Sequence, residues 1–286
     1  MFESIEEMMK YALAESVNLK DAIINREKEY SGKDETYIIS RIQRSLNVMK
    51  SSLENSIKID VVLPIREAME QSQKMLNGPI FLSKEIKESV YWAMSIAEYN
   101  SGMGLICAAP TAGSSGVFPA VLFKARQMLN KTDVETRDAF IIGSAIGVIC
   151  GNRATLSGSE GGCQAEIGVA SAMAAASITY MAHGSKEMIA QSVALALKNV
   201  LGLVCDPVAG LVISPCIKRN ALGVVNAFLA AEMALSGVKS IIPPDQVIDA
   251  MKKVGRKLPE ELRETGLGGI ADTPAGKKIR DTLFSE

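Results

Sequence analysis

Apolar residues recur at three- and four-residue spacing along most of this chain, and no stretch alternates apolar and polar cleanly with a period of two. That periodicity is the imprint of helices rather than strands. Residues 1–30 carry Ile5, Met8, Met9, Ala12 and Leu13 on one stripe, with acids in the first turn, and read as helix. The SGKDE segment interrupts the stripe. A second long helix is expected from Glu35 to about Ile57, with Ile38, Ile39, Ile42, Leu46 and Met49 on one face. Gly78 and Pro79 mark a turn, and Ser83 suits the N-cap of a helix that runs through Tyr91 and Trp92. Further helices are expected after Gly116, over Asp133 to Cys150, over Gln164 to Ala182, after Cys216, and from Asp245 behind the Pro243–Pro244 break. The pattern predicts an all-α, compact multi-helix domain. Residues 1–80 form peripheral helices, and residues 105–276 form a core with the chemistry in loops between helices.

Composition narrows the functional classes. The chain has 286 residues, 48% apolar but only 5% aromatic, so alanine, glycine, serine and methionine fill the interior. That length buries a large core. A net charge of −1 gives no basic face for nucleic acid. The longest apolar runs are too short to cross a bilayer, and the one after Cys163 carries Glu166. Five cysteines without a signal peptide fit a reducing cytoplasm.

The chemistry concentrates between Ser157 and Asn220. Cys163, Cys205 and Cys216 each lie beside glycine or proline, whereas Cys107 and Cys150 sit in small apolar runs like ordinary core residues. Turns let a thiolate approach a bound centre closely. The spacing lacks the short ligand pairs of a zinc site. A Cys3His site with His183, the only histidine, is open on paper, and so is an iron–sulfur cluster, which tolerates wide spacing. A second candidate precedes these: Pro110, Thr111, Gly113, Ser114, Ser115 and Gly116 lead into a helix. Glycines and hydroxyls at a helix N-terminus make a cradle for an anion, although capping explains them equally well.

The segments CAAPTAGSSGVFPAVL, SGSEGGCQAEIGVASAMAAAS and LGLVCDPVAGLVISPCIKRNA together resemble the alpha chain of the iron–sulfur-dependent L-serine dehydratases. The likeness runs from about Leu105 to the GLGGIADTPAG stretch and is weaker over the first eighty residues. It implies a [4Fe-4S] cluster on Cys163, Cys205 and Cys216, with one iron left open to bind the hydroxyl of L-serine. It also implies that Thr111, Gly113, Ser114 and Ser115 hold the substrate carboxylate, with Asn220 nearby to donate to substrate or cluster. The implied reaction is L-serine to pyruvate and ammonia, a step of amino-acid degradation that feeds gluconeogenesis. Single-chain relatives place a histidine loop on a regulatory-type domain. No SSSHT-like loop occurs here, which implies a separate beta subunit. The C-terminal cysteine of some relatives is also missing, because the sequence ends LFSE.

No residue stands out as the general base. Glu160 and Glu166 flank Cys163 and serve as acid–base groups or as loop-ordering acceptors, and Lys218 and Arg219 offset the charge of a cluster. Asn152 and Arg153 lie in a predicted loop where they would orient an anion. His183 abuts Gly184 at a helix end, where capping accounts for it. Three alternatives stay open: an L-cysteine desulfidase with a similar cluster, a cluster-based redox sensor, and a pyridoxal-phosphate dehydratase using Lys124.

Overall fold

The computed structural model describes residues 1–79 and 81–285. An outer layer of α1 (Ile5–Ala14), α2 (Leu19–Ser31), α3 (Glu35–Ser56) and α4 (Gln71–Asn77) leads to α5 (Lys84–Ser101), α6 (Val117–Met128) and α7 (Asp133–Arg153). After the single turn α8 (Gly158–Gly161) come α9 (Val169–Met181), α10 (Lys186–Asn199), α11 (Cys216–Leu235), α12 (Pro244–Gly255) and α13 (Pro274–Phe284). Among the described residues there is no strand, only one isolated bridge between Cys205 and Arg263, so the all-α expectation holds.

Helix α9 is the axis of the fold. All of its thirteen residues except Tyr180 are buried, and α6, α7, α10 and α11 pack around it. A helix apolar on every side has nowhere to go but the interior. Its alanines and serines let neighbours approach closely. Of its three buried hydroxyls two are satisfied by carbonyls of neighbouring helices, Ser177 donating to Ala139 of α7 at 2.7 Å and Ser171 to Gly223 of α11 at 3.0 Å, while Thr179 Oγ1 has no partner. Gly143 of α7 sits where α7 crosses α9. A Cβ there would lie 2.6 Å from the Phe118 ring and 2.7 Å from the Met173 carbonyl.

The outer layer is tied to the core by a carboxylate. Asp245, at the start of α12, accepts the backbone N–H groups of Ile5 at 2.9 Å and Glu6 at 3.0 Å, satisfying the free end of α1. Phe2, Ile5 and Met8 are then buried against the same continuous core.

Three boundaries differ from the sequence expectation. Residues 1–30 are two helices, not one. The chain breaks at Ser16, which has φ 53°, and restarts at Asn18, whose side chain accepts from Asp21 N–H at 2.9 Å and caps α2. Helix α7 continues to Arg153, because a bidentate pair with Asp249 (both contacts 2.8 Å) anchors that last turn. Asn152 and Arg153 are therefore helical, and Arg153 is committed to α12 rather than free to orient an anion. Gln164–Gly168 forms a π-turn ahead of α9.

Because Gly143 has no room for a side chain, Gly143→Ala is expected to lower stability by about 1–3 kcal/mol, as overpacked cores do. Urea unfolding followed by circular dichroism measures it, and an unchanged midpoint would contradict the crossing described here.

Candidate metal centre and substrate loop

Each cysteine of interest reaches the site from its own turn. Gly162 adopts φ 75°, and a Cβ there would lie 2.7 Å from the Leu203 carbonyl, so the approach to Cys163 needs glycine. Gln164 then fastens the π-turn. Its amide donates to Gly161 at 2.8 Å and Met251 at 3.1 Å, and accepts from Gly202 N–H at 2.9 Å. Cys205 is held by backbone alone: its N–H donates to Leu262 at 2.8 Å and its carbonyl accepts from Glu264 at 2.7 Å. The closing loop, residues 256–273 between α12 and α13, thus packs directly on the Cys205 turn. Cys216 opens α11.

The sulfurs of Cys163 and Cys205 and a carboxylate oxygen of Glu166 all lie within 4.8 Å of one another. Glu166 Oε2 is 4.0 Å from Cys163 Sγ and 3.9 Å from Cys205 Sγ, while Oε1 accepts the Thr111 hydroxyl at 2.7 Å. Cys216 lies outside this trio but close enough to feel it. Burial, then the charges of Cys163 and Glu166, push its thiol up to about 12. Between Cys163 and Cys205 the hydrogen bond works in opposite directions. It lowers the Cys163 thiol and, with burial, raises the Cys205 thiol, so Cys163 is the first to ionise. Burial also raises Glu166, whose charge is poorly solvated there.

The cation of the site is Arg219, one turn into α11. Its Nη2 pairs with Asp206 Oδ1 at 2.7 Å and its Nη1 donates to the Val204 carbonyl at 2.8 Å. Its positive charge also helps lower Cys163. Asp206 is buried, and its second oxygen accepts the Ile270 N–H at 2.9 Å.

The glycine–hydroxyl loop meets the thiols. Thr111 and Ser114 hydroxyls are 3.0 Å apart, and the Thr111–Glu166 bond joins the loop to the trio. Ser115 Oγ is buried with no partner. Asn220 is fully buried and spends its amide on the scaffold. It donates to Gly113 at 2.8 Å and Cys216 at 3.0 Å, and accepts from Gly116 N–H at 3.1 Å. It fixes the loop against α11. Gly116 is required at that contact, because a Cβ would lie 2.9 Å from Asn220 Oδ1.

Other candidates fall elsewhere. Glu160 is exposed and accepts from Thr155 at 2.6 Å, and Lys218 is exposed at the start of α11. His183 follows the far end of α9, a helix about 20 Å long, and lies 2.8 Å from Lys131 Nζ. Lys124 is buried between Glu88 (2.6 Å) and the Trp92 ring (3.9 Å), so it is committed to packing. Cys150 is fully buried, with its thiol pushed up to about 12 by desolvation. Sequence reasoning missed two residues. Asp206, inside the CDPVAG segment, anchors Arg219. Gly158 has no side chain because a Cβ would lie 2.6 Å from Glu166 Oε2 and 3.1 Å from Cys205 Sγ.

Residues 14–271 match the family model described as the serine dehydratase alpha chain. A protein of Bacillus subtilis named probable L-serine dehydratase, alpha chain, is 42% identical over 99% of this chain and 96% of its own length. The L-serine dehydratase alpha chain of Peptoniphilus asaccharolyticus is 38% identical over 100% of this chain and 99% of its own. An L-serine dehydratase of Helicobacter pylori is 34% identical over 95% of this chain but only 62% of its own length. With the glycine–hydroxyl loop and the cysteine turns both inside the matched span, the chain belongs to the serine dehydratase alpha chain family.

Proposed function

We propose that this protein is the alpha chain of an L-serine ammonia-lyase, which converts L-serine to pyruvate and ammonia. One observation carries the reading: the Cys163 and Cys205 thiols and an anion-suited loop adjoin, coupled through the Thr111–Glu166 bond, with the Cys216 thiol near enough for the charges of Cys163 and Glu166 to act on it. The donor set suits an iron–sulfur cluster. Three thiols gather at one buried place, with Arg219 beside them to offset negative charge. Cys163, Cys205 and Cys216 would hold a [4Fe-4S] cluster, which supplies a Lewis acid for the substrate hydroxyl. Three unbridged thiols of this kind belong in a reducing compartment, the cytoplasm.

The chain's own groups then have defined tasks. The N–H groups of Ala112, Gly113 and Ser114, which are not spent within the fold as those of Thr111, Ser115 and Gly116 are, receive the carboxylate of L-serine ahead of α6, favoured by the helix dipole. Ser115 Oγ, which has no protein partner, is free to donate to that carboxylate. Asn220 keeps the loop at fixed height over α11, so binding does not have to order it. Thr111 holds Glu166 by one oxygen and so fixes the distance between carboxylate site and thiols. Loss of water from serine leaves aminoacrylate, which takes up water to give pyruvate and ammonia.

Removal of the Cα proton needs a base within hydrogen-bond reach. Glu166 is the only carboxylate of the trio, and Thr111 and the thiols already engage it. The base is assigned to a separately encoded beta chain. The near end-to-end matches to proteins named alpha chain, against 62% of the Helicobacter pylori protein, support that assignment.

Three measurements check the reading. Each of Cys163→Ser, Cys205→Ser and Cys216→Ser is expected to abolish visible absorption and bound iron after anaerobic reconstitution, whereas Cys107→Ser and Cys150→Ser keep both. Cluster loss in Cys107→Ser with retention in Cys205→Ser would overturn the ligand set. Ser115→Ala is expected to weaken serine binding by about 0.5–3 kcal/mol with an unchanged spectrum, the span from a neutral hydrogen bond to one with a charged group. Equal affinity in the variant would leave Ser115 no substrate role. Pyruvate formation from L-serine is expected only when the beta chain is present. Turnover of L-cysteine in place of L-serine would make the enzyme a desulfidase, and full activity of the alpha chain alone would remove the need for a partner's base.

A further inference from the structure

The trio at the centre of the site has the dimensions of a single-ion site. Zinc with sulfur ligands at about 2.3 Å and oxygen ligands at about 2.0–2.2 Å gives tetrahedral edges of about 3.8 Å between sulfurs and about 3.6 Å between sulfur and oxygen. Glu166 Oε2 already stands 4.0 Å and 3.9 Å from the two sulfurs, and the two sulfurs lie within 4.8 Å of each other. Cys163 and Cys205 thus stand within reach of one ion, and Cys216 is not in the group.

The surroundings are those of a metal site too. Ligating carboxylates are normally oriented by an outer hydrogen bond. Thr111 provides it, binding Oε1 at 2.7 Å and leaving Oε2 facing the sulfurs. Gly158 keeps the space beside Oε2 and Cys205 Sγ clear, since a Cβ would lie 2.6 Å and 3.1 Å from them. Two thiolates and a carboxylate on a divalent ion leave one net negative charge, and the Arg219 guanidinium, held at 2.8 Å on the carbonyl of Val204 next to Cys205, is the cation beside them. The three donors leave one position of a tetrahedron for water.

We propose that the cluster-free chain binds one thiophilic divalent cation, zinc for preference, through Cys163, Cys205 and Glu166 without Cys216, and that this ion excludes cluster assembly. The ion takes its ligands by displacing thiol protons to solvent, so affinity rises with pH. No redox change is involved. The zinc site itself does not depend on the cluster assignment, because it uses a different donor set; its exclusion of cluster assembly rests on that assignment.

The test uses the full chain, prepared free of metal under anaerobic, reducing conditions. Zinc is titrated in competition with a chromophoric chelator, and cobalt is used to read thiolate-to-metal charge transfer. One zinc per chain is expected. Cys163→Ser and Cys205→Ser should each lose it, and Glu166→Gln should weaken it by about a hundredfold, the upper end of what losing even an outer-shell partner costs a metal site. Cys216→Ser should bind zinc as the unaltered chain does, while failing to retain iron. The zinc-loaded chain should take up iron and sulfide only after chelation. The proposal is overturned if Cys216→Ser weakens zinc as much as Cys163→Ser, if Glu166→Gln binds unchanged, or if zinc does not reach one per chain. Those results would leave the iron–sulfur assignment standing, since that assignment turns on whether Cys216 is needed for iron.

Discussion

A buried ion pair sets the geometry of the site. Arg219 and Asp206 meet at 2.7 Å with side chains only 14% and 4% exposed. Burying two charges is costly unless their remaining hydrogen bonds are made. Here they are: Arg219 also serves the Val204 carbonyl, and Asp206 also serves the Ile270 N–H. Through those bonds the pair holds together α11, the Cys205 turn and the closing loop. Removing one partner leaves the other charged and dry, a far larger penalty than the net worth of the pair. The same guanidinium lies beside Cys163, so one residue both fastens the scaffold and biases the thiol chemistry.

The helical scaffold explains why the site is at one end of α9. Helix α9 is buried along its length, and the π-turn with Cys163 precedes its first turn. A buried helix cannot slide without disturbing every neighbour, because interiors pack at crystal-like density. Ser171 and Ser177 and the notch at Gly143 fix its register against α11 and α7. The position of Cys163 is thereby inherited from core packing. Cys216 is likewise carried by a helix packed in the core, α11, whereas Cys205 depends on loop hydrogen bonds and is the softer part of the site.

Much of the fold was legible in the sequence because helix signals are local. Ser83, Asp34 and Thr132 cap their helices by side-chain bonds to the third residue on, and the long helix from Glu35 ends within a residue of its expected end. The misses are equally local: Asn18 looked like an interior residue of one helix but caps a second, and the end of α7 was set by Asp249, ninety-six residues away. The cysteine turns could be picked out by their glycines and prolines. The trio could not. Glu166 and Glu160 are both three residues from Cys163, and only the chain path through Gly162 and the π-turn decides which one faces the sulfurs. Asn220 shows the same limit: its position beside Cys216 was visible, but not that loop backbone would consume its amide.

The Thr111–Glu166 bond gives the two halves of the site a common variable. A carboxylate buried beside two thiols has its charged form disfavoured by burial, and the Thr111 hydroxyl is the group that offsets part of that cost. A cation placed near Oε2 favours the charge and strengthens the acceptor that Thr111 addresses. A neutral Glu166 does the opposite. The bond also orients Thr111, whose hydroxyl lies 3.0 Å from that of Ser114, so a chain of hydroxyls runs from the thiol pocket into the loop. The coupling requires no movement of helices, since Asn220 keeps the loop backbone fixed to α11 while the hydroxyl hydrogens reorient. Thiols and loop therefore meet at one carboxylate, Glu166.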